Sequence, residues 1–171
     1  MSSIDAEALY RALLDQIRAA YGDGFGAAQN GAEGAALAGI YSGGAWLAER
    51  LAHDLKLPSF GVVNVALHRD DYAKKGLHSQ ASPTSLPFSV DGRRIVLVDD
   101  VLYTGRTIRA VINELYDFGR PASVTLVVLV DRGGRELPIC ASCSAARITL
   151  PPAQRLRLAR AADGRFSFEI R

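Results

Sequence analysis

Apolar residues recur at helical spacing in three stretches of the chain. Such stripes predict amphipathic helices that cover a core with one face, and the first is expected over residues 5–19. The stripes contain Leu9, Tyr10, Leu13, Leu14 and Ile17 in the first stretch, Leu47, Leu51 and Leu55 in the second, and Ile108, Val111, Ile112 and Leu115 in the third. Gly119 follows the third stripe, where a helix C-cap is expected.

Continuous apolar runs lie between these helical stretches. They occupy residues 35–40, 62–67, 95–98 and 124–130. Strands without an alternating polar face are typical of a parallel sheet that is covered on both sides. Because these strands alternate with helices, the sequence predicts an α/β fold with a mostly parallel twisted sheet flanked by helices.

Two stretches depart from this alternation. Apolar residues between 156 and 170 alternate around Asp163-Gly164, which predicts a C-terminal β hairpin or hood. Residues 70–91 have no clean period, and we expect a long mobile loop beside a site. The length of 171 residues and the hydrophobic fraction of 49% fit a single domain over residues 1–171.

Charge and cysteine content narrow the classes of protein further. The net charge is +2, which does not by itself indicate a nucleic-acid or membrane surface. Because no apolar run reaches the ~20 residues of a bilayer span and MSSIDAEALYRALL is unlike a signal peptide, we expect a cytoplasmic protein. Cys140 and Cys143 are the two cysteines; we expect ordinary thiols in a loop, with a redox C-x-x-C as the alternative.

The stretch IVLVDDVLYTGRT, at 95–107, combines a strand, two acids and a turn that opens a helix. A helix N-terminus offers unpaired N–H groups and a positive dipole end to an anion, and Gly105 allows close backbone approach. Asp99 and Asp100 precede this turn, so their carboxylates can accept hydrogen bonds from sugar hydroxyls. The segment therefore predicts a site for a phosphorylated ribose. It matches neither G-x-x-x-x-G-K-[ST] nor G-x-G-x-x-G, which argues against a triphosphatase or a dinucleotide enzyme.

This segment resembles the phosphoribosyl pyrophosphate signature of the type I phosphoribosyltransferases. The resemblance runs from about Gly39 to Pro138 and is closest to pyrimidine operon attenuation regulators that are also uracil phosphoribosyltransferases. It rests on LHRDDYAKK at 67–75, DDVLYTGRT at 99–107, FGRPASV at 118–124 and VLVDRGGRELPI at 128–139. The combination of DDVLYTGRT with DRG-x-REL is specific to that subfamily.

The resemblance implies transfer of the 5-phosphoribosyl group to N1 of uracil, giving UMP and pyrophosphate with Mg²⁺ as the metal. It implies that Asp99 and Asp100 are catalytic and hold the ribose, and that Mg²⁺ is bound mainly through substrate, with no direct protein ligand. The implied substrate-binding residues are Ser42, Gly43, Arg69, Asp99, Asp100, Val101, Leu102, Tyr103, Thr104, Gly105, Arg106, Thr107 and Arg132. Within this set, the pyrophosphate turn contains Ser42 and Gly43, and Arg132 is expected to recognise the base.

Three positions differ from the subfamily pattern. The pyrophosphate turn has Ser42-Gly43-Gly44 in place of Thr-Arg-Gly, so a guanidinium is missing. We expect weaker pyrophosphate binding, and a rise in donor affinity on Gly43→Arg, because a charged hydrogen bond contributes ~1.5 to 3 kcal/mol. Gly134 replaces a histidine, and Ala146 replaces a lysine.

Two other functions remain open. One is an RNA-binding attenuation regulator with weak or vestigial catalysis, which needs a basic face for a leader RNA of a pyrimidine operon. Candidate residues for that face are Arg11, Arg18, Arg147, Arg155, Arg157 and Arg160, of which the last three fall on the expected hairpin strand. The other is the same fold with a purine acceptor. The resemblance also implies a homo-oligomer.

Overall fold

The computed structural model describes residues 4–25, 34–65 and 83–171 of the chain. Within these ranges the helices are α1 (Ala6–Tyr21), α2 (Gly43–Asp54) and α3 (Arg106–Asp117). The strands are β1 (Ala36–Ile40), β2 (Gly61–Val63), β3 (Arg94–Leu102), β4 (Ser123–Asp131), β5 (Cys143–Arg147), β6 (Leu156–Arg160) and β7 (Phe166–Ile170). The three predicted helical stripes therefore all form helices.

Strands β1 to β5 form one parallel sheet in the order β2-β1-β3-β4-β5. This arrangement confirms the predicted α/β fold. Two helices pack on one face of the sheet and one on the other, so successive residues of the central strands serve two cores. Val96 and Val98 of β3 pack with α1 and α2, whereas Ile95 and Leu97 pack with α3. Burial on both faces explains why β3 is apolar from Ile95 to Val98.

The edge strand β5 is not predicted by the sequence. Its residues CSAAR are only partly buried and form no apolar run, yet they pair in parallel with β4. Cys143 lies opposite Val127 in this ladder, so the expectation of a loop thiol is wrong for Cys143. Burial raises the pKa of the Cys143 thiol above its usual value, which argues against a reactive thiolate.

Strands β6 and β7 form the predicted antiparallel hairpin. Phe166 of β7 is buried, its ring lies 6.0 Å from that of Tyr10, and the guanidinium carbon of Arg50 lies 3.8 Å from the Phe166 ring centroid. These contacts attach the hairpin to α1 and α2. None of the helices in the described ranges is long and apolar enough to cross a membrane.

Residues 70–82 of the predicted long loop, which contain Lys74 and Lys75, lie outside the described residues, and so does Arg69 just before them. The described end of that loop returns to the sheet, where Ser85 forms an isolated bridge with Val62. The assignment of residues 1–171 to a single domain stays a prediction.

Because all five strands run the same way, their carboxyl ends meet at one edge of the sheet. The connections that leave this edge include the β1–α2 turn (residues 41–42), the β3–α3 turn (residues 103–105) and the β4–β5 loop (residues 132–142). Open α/β folds bind ligands at this edge. The predicted site residues that the structure describes lie in or beside these connections.

Candidate functional site

The two acids of the signature lie within β3. The sequence predicts a strand that ends at Val98, but the ladder continues to Leu102, with Asp99 opposite Val128. The side chain of Asp99 is only 7% exposed, and that of Asp100 is half-buried. Each carboxylate accepts a hydrogen bond from the next backbone N–H, at 2.9 Å in both cases. These bonds orient both side chains at the carboxyl edge.

The β1–α2 turn lies directly against the two acids. Helix α2 begins at Gly43, after Ser42, whose side chain makes no capping hydrogen bond. A Cβ atom on Gly43 would lie 2.5 Å from Oδ2 of Asp100, and one on Gly44 would meet the Val98 carbonyl. Gly44 is therefore required for close approach, because backbone atoms of β3 cannot give way, whereas a Cβ on Gly43 would displace the Asp100 carboxylate. The N-terminus of α2 thus lies against the acid pair.

This packing changes the expectation for Gly43→Arg. An arginine adds a cation at the turn, but its Cβ displaces the Asp100 carboxylate, since Cγ of Asp100 also lies within 2.8 Å of the Cβ position. The two effects oppose each other. A simple rise in donor affinity no longer follows from the missing guanidinium alone.

The β3–α3 turn provides a second helix N-terminus. Gly105 has φ +93°, a left-handed conformation that favours glycine, and α3 begins at Arg106. The backbone N–H of Arg106 donates to the hydroxyl of Thr104 at 3.2 Å, while Thr107 is half-buried in the first turn of the helix. The guanidinium of Arg106 pairs with Glu136 at 2.6 Å and is well exposed. This turn has the geometry of an anion cradle.

Sequence reasoning missed Arg135, which fastens the β4–β5 loop to the β3–α3 turn. Its guanidinium donates to the carbonyls of Tyr103 at 2.7 Å and Ile139 at 2.9 Å. It also pairs with Asp131, with 2.6 Å between Nη2 and Oδ2. Burial works to raise the pKa of Asp131, but the hydrogen bonds from Arg135 and from the Gly133 N–H hold that pKa below its usual value. The only sequence signal is the four-residue spacing of Asp131 and Arg135 in DRGGREL.

Arg132 is buried in the described structure, with 6% exposure. Its Nη1 donates to the carbonyl of Gln154 at 2.9 Å, and its Nη2 donates to that of Pro151 at 3.3 Å. Its guanidinium carbon lies 4.0 Å from the ring centroid of Tyr103. Arg132 thus stands beside the β3–α3 turn, and its polar atoms face the backbone that precedes β6. Its role in base recognition stays a prediction.

The remaining signature residues have different surroundings. Val101 is half-buried, whereas the side chain of Leu102 lies in the apolar core beside α3, so only backbone atoms of Leu102 can contact a ligand. Arg69 is outside the described residues. In the described part of the chain, no group of three or more His, Cys, Asp or Glu side chains could hold a metal ion.

The arginines proposed for RNA do not form one face. Arg155 and Arg157 are exposed and share one side of the β6 strand. Arg160 lies on the opposite side, where it pairs with Glu49 at 2.8 Å and its guanidinium carbon lies 5.0 Å from the Trp46 ring centroid. The hairpin strand therefore does not bring the three arginines to one side.

Comparison with known proteins places this geometry in a family. Residues 5–148 match the phosphoribosyl transferase domain family. Bifunctional protein PyrR of Ralstonia nicotianae is 58% identical over 168 residues, which cover 96% of this chain and 93% of the relative. Bifunctional protein PyrR of Nitrosococcus oceani is 54% identical over 126 residues, which cover 72% of this chain and 71% of the relative.

Solved structures show the same fold at low sequence identity. The hypoxanthine phosphoribosyltransferase of Trypanosoma cruzi has a TM-score of 0.58 at 21% identity, over 85% of this chain and 79% of its own. A hypoxanthine-guanine phosphoribosyltransferase of Bacillus anthracis has a TM-score of 0.60 at 12% identity, over 87% of this chain and 82% of its own. The chain belongs to the phosphoribosyl transferase family and, within it, to the group of bifunctional PyrR proteins.

Proposed function

We propose that the protein transfers the 5-phosphoribosyl group of 5-phosphoribosyl diphosphate to N1 of uracil. In this reaction the bond from C1 of the ribose to the pyrophosphate oxygen breaks, the bond from C1 to N1 forms, and the N1 proton of uracil is released. The products are UMP and pyrophosphate. The observation that carries the proposal is the acid pair of β3, which lies against the N-terminus of α2 and precedes that of α3.

This arrangement suits a donor with a sugar between two phosphate groups. Asp99 and Asp100 accept hydrogen bonds from the ribose hydroxyls and stabilise positive charge that develops on the ribose in the transition state. The turn from Thr104 to Thr107 binds the 5′-phosphate through backbone N–H groups, hydroxyls and the Arg106 guanidinium. Ser42 and Gly43 at the start of α2 bind the pyrophosphate. Holding both ends of the donor orients C1 for attack.

Mg²⁺ is the cofactor we propose, and the donor set at this edge fits it. Two carboxylates, one buried and one half-buried, supply the hard oxygen atoms that Mg²⁺ prefers. Asp99 and Asp100 would hold the ion through its water shell and through the ribose oxygens rather than as a dedicated cage. When bound, the ion supplies charge neutralisation for the leaving pyrophosphate.

We assign the acceptor side to Tyr103 and Arg132, with the backbone of Val101 and Leu102 beside them. These residues lie where the β4–β5 loop meets the β3–α3 turn, next to the acid pair. Arg69 is proposed as a further donor contact from the long loop.

Uracil turnover by the purified protein tests this function. The assay follows UMP formation from uracil and 5-phosphoribosyl diphosphate with Mg²⁺, with hypoxanthine and guanine as competing acceptors. We expect UMP to be the product and the two purines to be poor acceptors. Nucleotide formation from a purine in preference to uracil would replace the pyrimidine assignment, and no turnover of any base would contradict an enzymatic function.

A second candidate is an RNA-binding attenuation regulator with weak catalysis. The β1–α2 turn carries no guanidinium, which favours weak donor binding. Arg155 and Arg157 are exposed and supply positive charge for the phosphates of an RNA. A leader RNA hairpin of a pyrimidine operon should then shift in a gel, with an affinity that falls as salt rises. The same affinity for an unrelated hairpin would contradict this function.

A cytoplasmic homo-oligomer stays part of the proposal, and light scattering measures its mass.

A further inference from the structure

The ring of Tyr103 contacts two residues that follow β4. The guanidinium of Arg132 lies over the ring, with its central carbon 4.0 Å from the ring centroid. Gly134 lies at the Cδ2–Cε2 edge of the ring, where an added Cβ would lie 3.0 Å from Cδ2 and closer still to Cε2. Gly134 also has φ +68°, in the left-handed region. The ring position therefore depends on both neighbours.

Arg132 is itself held by the backbone. Its two terminal nitrogens donate to carbonyls of the segment from Leu150 to Gln154, and its own N–H donates to the Leu102 carbonyl at 3.0 Å. Its Nε is buried without a hydrogen-bond partner in the described part of the chain. A buried cation over an aromatic ring gains a cation–π attraction that increases as water is excluded. The hydrogen bonds of this guanidinium thus go to backbone carbonyls. Within the described residues, the side chain of the DDVLYTGRT signature that it contacts is that of Tyr103.

We propose that Arg132 is a positioning residue that acts on the acceptor through Tyr103, and that Gly134 is required for the same ring position. This inference rests on the proposed function, because the acceptor is the base of that reaction. Tyr103 follows the acids assigned to the ribose and precedes the turn assigned to the 5′-phosphate. Its half-buried ring presents a flat apolar surface on which a planar base can pack. Arg132, which the sequence suggested as a base-recognising residue, supports this surface from behind.

Two neighbouring glycines provide a matched test. Gly134→Ala introduces a Cβ into the Tyr103 ring, whereas Gly133→Ala, at φ +70°, introduces one with no atom within 4 Å. Both changes impose the same left-handed backbone strain. We expect Gly134→Ala to raise the KM for uracil about tenfold with little change in the KM for the donor, and Gly133→Ala to leave both within about twofold. Equal effects of the two changes would overturn the role of Gly134.

A double-mutant cycle separates action through the ring from direct contact with the base. Arg132→Met should raise the KM for uracil about tenfold, as should Tyr103→Leu. If Arg132 acts through Tyr103, Arg132→Met should have almost no further effect on that KM in the Tyr103→Leu background. An undiminished effect there would show that Arg132 contacts the base itself and would overturn the proposal.

A second measurement does not depend on catalysis. Tyrosines labelled with fluorine give one ¹⁹F resonance per ring, and Tyr103→Phe identifies the resonance of Tyr103. We expect that resonance to move in Gly134→Ala and in Arg132→Met and to stay in place in Gly133→Ala. An unmoved resonance in the first two variants would contradict the proposal that Arg132 and Gly134 set the position of the Tyr103 ring, even if the wild type uses uracil. A moved resonance in a protein that uses no uracil would instead contradict the proposed function alone.

Discussion

The β1–α2 turn and the β3–α3 turn both bring a helix N-terminus to the carboxyl edge of the sheet, but they use glycine differently. Gly43 and Gly44 have ordinary backbone angles, and their hydrogens are needed because a Cβ would meet the acid pair or the backbone of β3. Gly105 has φ +93°, so its backbone conformation is the first requirement. Glycine in the first turn allows close packing against β3, whereas glycine in the second allows a left-handed backbone conformation.

The two turns also differ in how they are held. The β1–α2 turn carries no charged side chain, and the glycines that follow it pack against the Asp100 side chain and the backbone of β3. The β3–α3 turn carries hydroxyls and Arg106, and Arg135 fastens it to the β4–β5 loop. One helix N-terminus therefore offers an anion mainly amide groups, whereas the other adds side-chain donors. We expect the β3–α3 turn to contribute more to donor affinity and the β1–α2 turn to contribute more to the placement of the acids.

The largest expected effect comes from the acid pair, which both turns serve. Asp99→Asn and Asp100→Asn should each lower kcat/KM for UMP formation about 100-fold, because they remove charge that stabilises the developing cation on the ribose. Steady-state kinetics with varied donor measure this loss. Asp117→Asn at the exposed end of α3 is the control and should have no effect. Activity retained in both acid variants would exclude the pair as the catalytic centre.

Because α2 packs closely on β3 at Gly44, a side chain at this position should lower folding stability. Gly44→Ala places a Cβ against the Val98 carbonyl and 3.1 Å from Cα of Asp99, and neither backbone atom can rotate away. We expect the free energy of unfolding in urea to fall by about 3 kcal/mol. Gly92→Ala, at φ +68° with open space around its Cβ position, is the control and should cost only about 1 kcal/mol. Equal losses would mean that α2 can shift away from β3.

Much of the fold could be predicted from the sequence, because the physical causes of its helices and strands are local. The apolar runs predict the strands that are buried on both faces, and Asp163-Gly164 predicts the hairpin turn. Strand β5 has no such signal, because its residues CSAAR are only partly buried and form no apolar run, and its pairing with β4 holds it in the sheet. The extension of β3 through Asp99 and Asp100 is equally hidden, because acidic residues are uncommon in strands and here serve the site.

For the site, the limit lies in tertiary contacts. The signature locates the acids and both turns, but not what surrounds them. The approach of Gly43 to Asp100 and the attachment of Tyr103 by Arg135 join segments far apart in the chain. The burial of Arg132 also follows from residues 150–154, which carry no recognisable motif. The spacing of residues along the sequence does not predict which of these distant segments come into contact.

The effect of the missing cation in the first turn on donor affinity can be tested with two substitutions of Gly43. Gly43→Ala displaces the Asp100 carboxylate without adding charge, whereas Gly43→Arg does both. We expect Gly43→Arg to bind the donor about tenfold more tightly than Gly43→Ala, since a charged hydrogen bond contributes about 1.5 to 3 kcal/mol. Calorimetric titration with the donor measures both affinities. Equal affinities would show that pyrophosphate does not lie at the start of α2.

The smallest effect concerns the attachment of the second turn and depends on pH. Because the folded-state pKa of Asp131 is held below the usual 3.8, the ion pair with Arg135 stabilises the fold fully above that value and loses its effect as pH falls. At neutral pH, Asp131→Asn should lower the free energy of unfolding by about 1.5 kcal/mol. In urea unfolding, this difference from the wild type should shrink from about pH 5 downward. Asp163→Asn in the exposed hairpin turn is the control and should change stability less at neutral pH. A difference for Asp131→Asn that stays constant down to acid pH would mean that packing, and not charge, fastens the β4–β5 loop to the β3–α3 turn.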